Sequence, residues 1–332
     1  MTVRKVKWGI LSSAKIGVVK VIPGMQKSEY CEIVGISSRE GGRALAAAER
    51  LGIPKAYDSY EALLADPEIE AVYNPLPNHL HVPWSIKALE AGKHVLCEKP
   101  VGLNADEAKS LMQVARKYPH LKLMEAFMYR FHPQWVKAKS LIHSGAIGQV
   151  KTLQSFFSYY NDDPTNIRNK ADIGGGGLMD IGCYCISFGR FLFDEEPHRV
   201  VGLMEYDPVL RVDRLASGIL DFSDGKSSTF TCSTQLMPFQ HCLIFGTLGY
   251  IEIEIPVNAP PDAPTRIWLV TKSERKEIGF EICDQYTLQG DAFSLAIINN
   301  EEVPTPFLDA INNMKVIDAV IESGRANQWV TI

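Results

Sequence analysis

A chain of 332 residues, 46% apolar and 22% charged, has room for two domains, each with a core of its own. Its net charge of −5 speaks against a nucleic-acid or anionic-membrane surface, and no apolar stretch reaches the roughly 20 residues of a membrane span. The seven cysteines are odd in number and scattered, which fits reduced thiols in a cytoplasmic protein better than a disulfide framework.

The first 120 residues alternate short apolar runs with helical stretches. The runs are Val6–Leu11, Glu32–Ile36, Ala71–Asn74, His94–Cys97 and Leu121–Met124, each short enough for a strand buried on both faces. Strand one begins almost at once, leaving no room for a signal peptide. Pro23 should kink the first helix or delay its start, because it lacks a backbone donor. Pro83 fits the first turn of a helix that Gly92 closes, and Asn104 with Glu107 forms a capping box for a helix through Lys117. This alternation predicts an α/β fold whose first domain, residues 1–125, is a doubly wound, mostly parallel Rossmann sheet.

After about residue 150 the texture becomes β-rich, in "VKTLQSFFSYY", "HRVVGLMEY" and "QHCLIFGTLGYIEIEI" among others, with Ser223-Asp224-Gly225 as a hairpin turn. Residues 126–332 are therefore expected to form an α+β domain with a large open, mostly antiparallel sheet, a helix containing Asp180 to Phe193, and a closing helix over 306–323. Cys183-Tyr184-Cys185 is C-x-C rather than a zinc spacing, so both cysteines are packing residues and no metal site is expected.

Residues 9–17, "GILSSAKIG", follow the first strand where a dinucleotide turn reads G-x-G-x-x-G. Ser12, Ala14 and Gly17 stand at the three glycine positions, small enough for backbone amides to approach a pyrophosphate, and Lys15 and Ile16 complete the loop. An ordinary strand–helix turn would use the same residues; position on the first strand favours the cofactor. The second strand ends "GISSREGGR", with serines where an NAD site places its acid. Ser38, Arg39 and Arg43 suit a ribose 2′-phosphate instead, so NADP is the expected cofactor.

"GKHVLCEKPVGLN" (92–104) ends a strand with Glu98-Lys99-Pro100, and "AVYNPLPNHLH" (71–81) and "GGGGLMDIGCYC" (174–185) complete the pattern. On these motifs the whole chain resembles the glucose–fructose oxidoreductase / inositol dehydrogenase / rhizopine-catabolism (Gfo/Idh/MocA) family. It is most similar to the branch with glucose–fructose oxidoreductase, dimeric dihydrodiol dehydrogenases and NADP-dependent xylose dehydrogenases. The resemblance implies that Lys99 contacts substrate and cofactor ribose, and that Asp180 orients the substrate hydroxyl. It further implies that Tyr184 takes the acid/base place that histidine holds in most of the family. Pro75, Leu76, Asn78 and His81 would line the adenosine and nicotinamide portions, with Glu98 beside them. Arg168, just upstream of the catalytic helix, is a candidate for sugar hydroxyls, and Arg130 for the crevice edge; either would also serve as a structural ion pair.

Asp180 and Tyr184 are i and i+4, on one face of a helix. An unperturbed tyrosine titrates near 10, too high for a free base, and a neighbouring Lys99 ammonium would favour the phenolate. The expected activity is hydride transfer between NADP and a small sugar or polyol, foremost an aldose such as D-xylose or D-glucose at C1. A sugar–sugar oxidoreductase with tightly bound NADP, a dihydrodiol dehydrogenase and a non-catalytic NADP-responsive regulator stay open. The sheet of the second domain is apolar for a solvated face, and the resemblance implies a homodimer or homotetramer paired through it.

Overall fold

The computed structural model describes residues 3–332. They form two compact units, one reaching to Met128 and including Asp284–Ile311, the other made of Tyr129–Cys283 and Asn312–Ile332. The segment Asp284–Ile311 thus packs with the first unit, whereas the sequence reading placed all of 126–332 in the second domain. Its reason is cover for the first strand. Trp8 is fully buried, stacks 5.5 Å from Phe293 and donates its indole N–H to Ser294 at 3.2 Å. Local periodicity says nothing about a partner so far along the chain.

The first sheet comprises β1 (Val6–Leu11), β2 (Cys31–Ser37), β3 (Lys55–Tyr57), β4 (Ala71–Asn74), β5 (His94–Cys97) and β6 (Leu123–Glu125). Every pairing is parallel and the spatial order is β3-β2-β1-β4-β5-β6, the doubly wound arrangement with its switch point between β1 and β4. The apolar runs become strands because both faces are covered; all four residues of β4 are buried. The edge strand β3 is partly exposed and only three residues long, too short to leave a sequence pattern.

Ahead of Pro23 the first helix widens into a π turn, Gly17–Val21, before Ile22–Met25, the adjustment expected of a proline that cannot donate. Pro83 departs from expectation. Its helix, Asn78–Glu90, starts after Pro77, so Pro83 lies inside it on the exposed side, at the cost of one backbone bond. Gly92 closes this helix at φ +76°, its amide donating to Leu89 O at 2.9 Å. Asn104 caps the helix Ala105–Ala115 as expected, accepting from the Glu107 amide at 2.9 Å, while the Glu107 carboxylate reaches back one residue further than in a capping box, accepting from the Leu103 amide at 2.8 Å.

The second unit is built on a nine-stranded sheet of β7 (Val150–Tyr160), β8 (Arg199–Tyr206), β9 (Asp213–Asp221), β10 (Ser227–Ser233), β11 (Gln235–Gly246), β12 (Gly249–Ile253), β13 (Thr265–Thr271), β14 (Arg275–Phe280) and β15 (Val330–Thr331). Its pairings are antiparallel except β7 with β10. The predicted hairpin joins β9 to β10, with Asp224 and Gly225 both at positive φ (57° and 68°) as a type I′ turn requires.

One face of this sheet is covered by a helix over 178–193, which opens with a π turn, Leu178–Gly182, and continues as α-helix, Cys183–Phe193. The end of the helix Phe307–Ala326 covers β8, where Gly202 leaves room for it: a Cβ there would stand 2.8 Å from Val320 O. From the 178–193 helix, Phe188 stacks 4.5 Å from Trp135, whose indole donates to Pro256 O at 2.7 Å. The opposite face carries Leu203, Ile219 and Phe239, exposed at 66%, 41% and 55%. With Phe156, His241 and Leu243 they line a cavity of ≈ 690 Å³.

Candidate active site

In the first unit the loops that follow β1, β2, β4 and β5 gather at the carboxyl edge of the parallel sheet, around its switch point. Ser12 adopts φ +118°, a backbone region that belongs to glycine. The first glycine position thus keeps its conformation while carrying a hydroxyl, and the Ser12 Oγ accepts from the Ala14 amide at 3.2 Å. Strain retained at a turn points to use. Gly17 is buried against the end of β4, where an added Cβ would lie 3.7 Å from Tyr73 and Pro75. Ala14 and Ile16 are half-buried and Lys15 is exposed.

After β2, Ser37 donates to Ile10 O at 3.0 Å and Ser38 accepts from the Glu40 amide at 3.3 Å. Arg39 bonds to the Tyr60 hydroxyl, and Arg43 pairs with Glu40 at 2.8 Å. Both members of the latter pair are largely exposed, so it holds Arg43 only weakly.

His81 is fully buried rather than turned toward a ligand. Its Nδ1 lies 2.8 Å from Pro100 O and its Nε2 2.6 Å from Leu76 O; the neutral ring donates to one of these carbonyls and packs against the other, wedged between the loop after β4 and the loop after β5. Asn74 reinforces this arrangement, accepting from Leu76 N at 3.3 Å and donating to His81 O at 3.0 Å and Ser85 Oγ at 3.1 Å. Pro75 and Leu76 are buried, and Asn78 is half-buried at the helix start. Tyr73 donates to Glu98 at 2.6 Å, and the buried Glu125 accepts from Val101 at 2.8 Å, fixing the strand end that carries the half-buried Lys99. Tyr73, Asn74 and Glu125 escaped the sequence reading; each reads there as one more residue of a buried strand.

In the second unit Asp180 and Tyr184 face β7. Tyr184 is 5% exposed and packs on Phe157 and Tyr129, 6.2 and 6.0 Å between ring centres. Asp180 Oδ2 accepts from the Tyr159 hydroxyl at 2.6 Å and from Arg168 Nε at 2.9 Å. Burial pushes the Tyr159 hydroxyl far up, and the Asp180 carboxylate adds to it, so this phenol stays a donor. The same carboxylate raises the Arg168 guanidinium. The geometry therefore makes Arg168 an ion-pair partner of Asp180 and adds Tyr159, an aromatic of β7, as the second donor. Arg130 is instead buried, donating to Ser187 Oγ at 2.6 Å in the packing around Tyr129.

The glycine run is a built structure. Gly175 and Gly176 donate to Lys170 O and Arg168 O at 2.9 and 2.8 Å. A Cβ at 175 would meet Arg168 O at 2.5 Å, and Gly176 stands at φ +120°. Only glycine passes so close to the segment that carries Arg168.

A doubly wound sheet with a strained small-residue turn at its switch point defines a dinucleotide-binding domain. Its residues fit such a group: Gly17 is tucked against β4, Ser12 holds the glycine conformation, and the helix start that follows carries no side-chain cap. Residues 6–127 match the oxidoreductase family with an NAD-binding Rossmann fold, and residues 135–252 match the GFO/IDH/MocA C-terminal domain. The chain belongs to the Gfo/Idh/MocA family of oxidoreductases. It is 44% identical to "Uncharacterized oxidoreductase ORF334" of Rhizobium meliloti, covering 98% of this chain and 99% of the relative. It is 38% identical to D-xylose 1-dehydrogenase (NADP(+)) 2 of Haloferax volcanii over the same shares. The 3-ketoreductase KijD10 of Actinomadura kijaniata, solved with NADP and TDP-benzene, superposes with a TM-score of 0.91 at 27% identity, covering 96% of this chain and 98% of that one.

Burial sets the acid response. His81, His94 and His132 are pushed down to about 4, so each stays neutral in the native state while the unfolded chain protonates near 6.5. Their contribution to stability is complete above pH 6.5 and is lost as pH falls toward 4. Asp213, pushed up to about 6 by burial, and Asp291, also raised by burial, work the other way. Thermal melts should therefore show a falling Tm between pH 6.5 and 4, and a shallower fall in His81→Gln. An equal slope in that variant would contradict this assignment.

Proposed function

We propose that this oxidoreductase is an NADP-dependent aldose 1-dehydrogenase, acting on D-xylose or D-glucose in the cytoplasm. The observation that carries the reading is Asp180, held by Tyr159 and Arg168 one helical turn from Tyr184. A carboxylate fixed beside a phenol is suited to accept a hydrogen bond from one sugar hydroxyl while the phenol exchanges a proton with another. The name of the Haloferax volcanii relative supports the sugar and the cofactor together.

In this reading Tyr184 exchanges the proton of the reacting hydroxyl, and Lys99 would contact substrate and cofactor ribose. Asp180 and Arg168 orient the sugar. When bound, the nicotinamide supplies the hydride acceptor. Ser12, Ala14, Lys15 and Ile16 would hold its pyrophosphate, and Ser38, Arg39 and Arg43 its 2′-phosphate. Pro75, Leu76, Asn78 and Glu98 would line the rest, with His81 behind them, wedged between the two loops. Absorbance at 340 nm should rise with D-xylose or D-glucose when NADP is supplied and much less with NAD. Replacing both Arg39 and Arg43 by Ala should raise KM for NADP by about tenfold or more, since each charge-assisted bond contributes roughly 1.5–3 kcal/mol. Equal rates with NAD and NADP in the parent protein would overturn the cofactor assignment.

We further infer a homodimer or homotetramer joined through the open face of the nine-stranded sheet. The exposed Leu203, Ile219 and Phe239 around its cavity support this. Sedimentation should show the assembly for the parent chain and a monomer for Phe239→Glu; an unchanged assembly would place the contact elsewhere.

A further inference from the structure

We propose that Asp213 is a positioning residue for the helix that presents Asp180 and Tyr184, an inference that rests on the function proposed above. Asp213 opens β9 and is 6% exposed. Its Oδ2 accepts from the Leu178 amide at 2.6 Å, and its carboxylate also accepts from the Gly177 amide. Those are the first amides of the 178–193 helix, which have no partner within the helix itself.

A helix start is normally satisfied by a serine, threonine or aspartate just ahead of it. Here the residue at that place is Gly177, with no side chain to offer. The acceptor comes instead from a strand of the sheet beneath. The difference is mechanical: a local cap satisfies the amides but leaves the helix free to shift over the sheet, whereas a carboxylate rooted in β9 pins the helix start to the sheet. The same sheet carries Tyr159, which holds Asp180. The Asp180 amide donates to Gly176 O at 3.0 Å, so the pinned glycines lie one hydrogen bond from the acid that they present.

The glycine run makes room for this clamp. A Cβ at 176 would stand 2.0 Å from Asp213 Oδ1, and one at 177 would stand 3.3 Å from Oδ2. Burial makes the arrangement costly, because Asp213 is pushed up to about 6 and the nearby Asp180 charge adds to the rise. Burial thus disfavours its ionised form, and the amides of Gly177 and Leu178 are what offset that cost.

The test uses the full chain with Asp213→Ala and Asp213→Asn, the latter keeping one carbonyl acceptor for one of the two amides. Three readouts are taken: hydrogen exchange at Gly177 and Leu178, kcat against KM with D-xylose, and the Kd of NADP. In Asp213→Ala, exchange at the two amides should accelerate and kcat should fall by roughly ten- to a hundredfold, with the Kd of NADP within about twofold. Asp213→Asn should lie between the parent and Asp213→Ala in both readouts. Unchanged exchange, or a kcat within about twofold of the parent in both variants, would overturn the clamp. If Asp213→Ala does not fold, Asp213→Asn alone decides by the same criteria. A parent protein that turns over no sugar would sink the proposed function, and the clamp would then stand or fall on hydrogen exchange.

Discussion

Asp180 spends one carboxylate oxygen on two donors, the Tyr159 hydroxyl at 2.6 Å and Arg168 Nε at 2.9 Å. Holding a partly buried carboxylate in this way requires both donors to be fixed in advance, since an unpaired charge there would be expensive. Tyr159 is fixed by its place on β7, in the middle of a nine-stranded sheet. Arg168 is fixed by the loop whose carbonyls take the amides of Gly175 and Gly176. The helix that carries Asp180 packs through Tyr184 on Phe157 of the same strand and through Phe188 on Trp135. Much of the second unit is therefore organised around the placement of one carboxylate and the phenol one turn beyond it.

The first unit solves a different problem. Its four loops must bring backbone amides to an anionic cofactor without collapsing on one another. Parallel strands buried on both faces give a rigid edge, and buried polar side chains set the loops on it. His81 and Asn74 set the loop after β4 against its neighbours, while Tyr73 and Glu125 hold the strand end that carries Lys99. Ser12 keeps a glycine conformation at the turn itself. The membership of the Gfo/Idh/MocA family is consistent with both halves, because it spans the Rossmann domain and the sheet domain.

What was legible beforehand was local. Strands buried on both faces announce themselves as short apolar runs, and β1, β4 and β5 fall where those runs stand. The turn at Ser12, the hairpin at Asp224-Gly225 and the helix cap at Asn104 depend on neighbours within a few residues, and so could be read. Asp180 and Tyr184 were visible through their spacing and a family motif. Tyr159 and Asp213 were not, because a residue on a strand shows its alternation and not which side chain from a distant helix will meet it. The packing of Phe293 on Trp8 is hidden for the same reason, across nearly the whole chain. Pro83 misled because proline is commonest in a first turn, yet an exposed position tolerates it deeper in a helix.

The central claim is that the Asp180–Tyr184 face carries the chemistry while the first unit holds the cofactor. The most direct measurement is turnover of Tyr184→Phe with NADP and D-xylose, alongside its Kd for NADP. The variant keeps the ring that packs on Phe157 and removes only the hydroxyl. The account predicts a loss of kcat of about 100-fold or more, the usual scale for a positioned acid/base, with NADP binding unchanged. Turnover within about twofold of the parent would contradict it, and would move the proton-transfer step away from this helix.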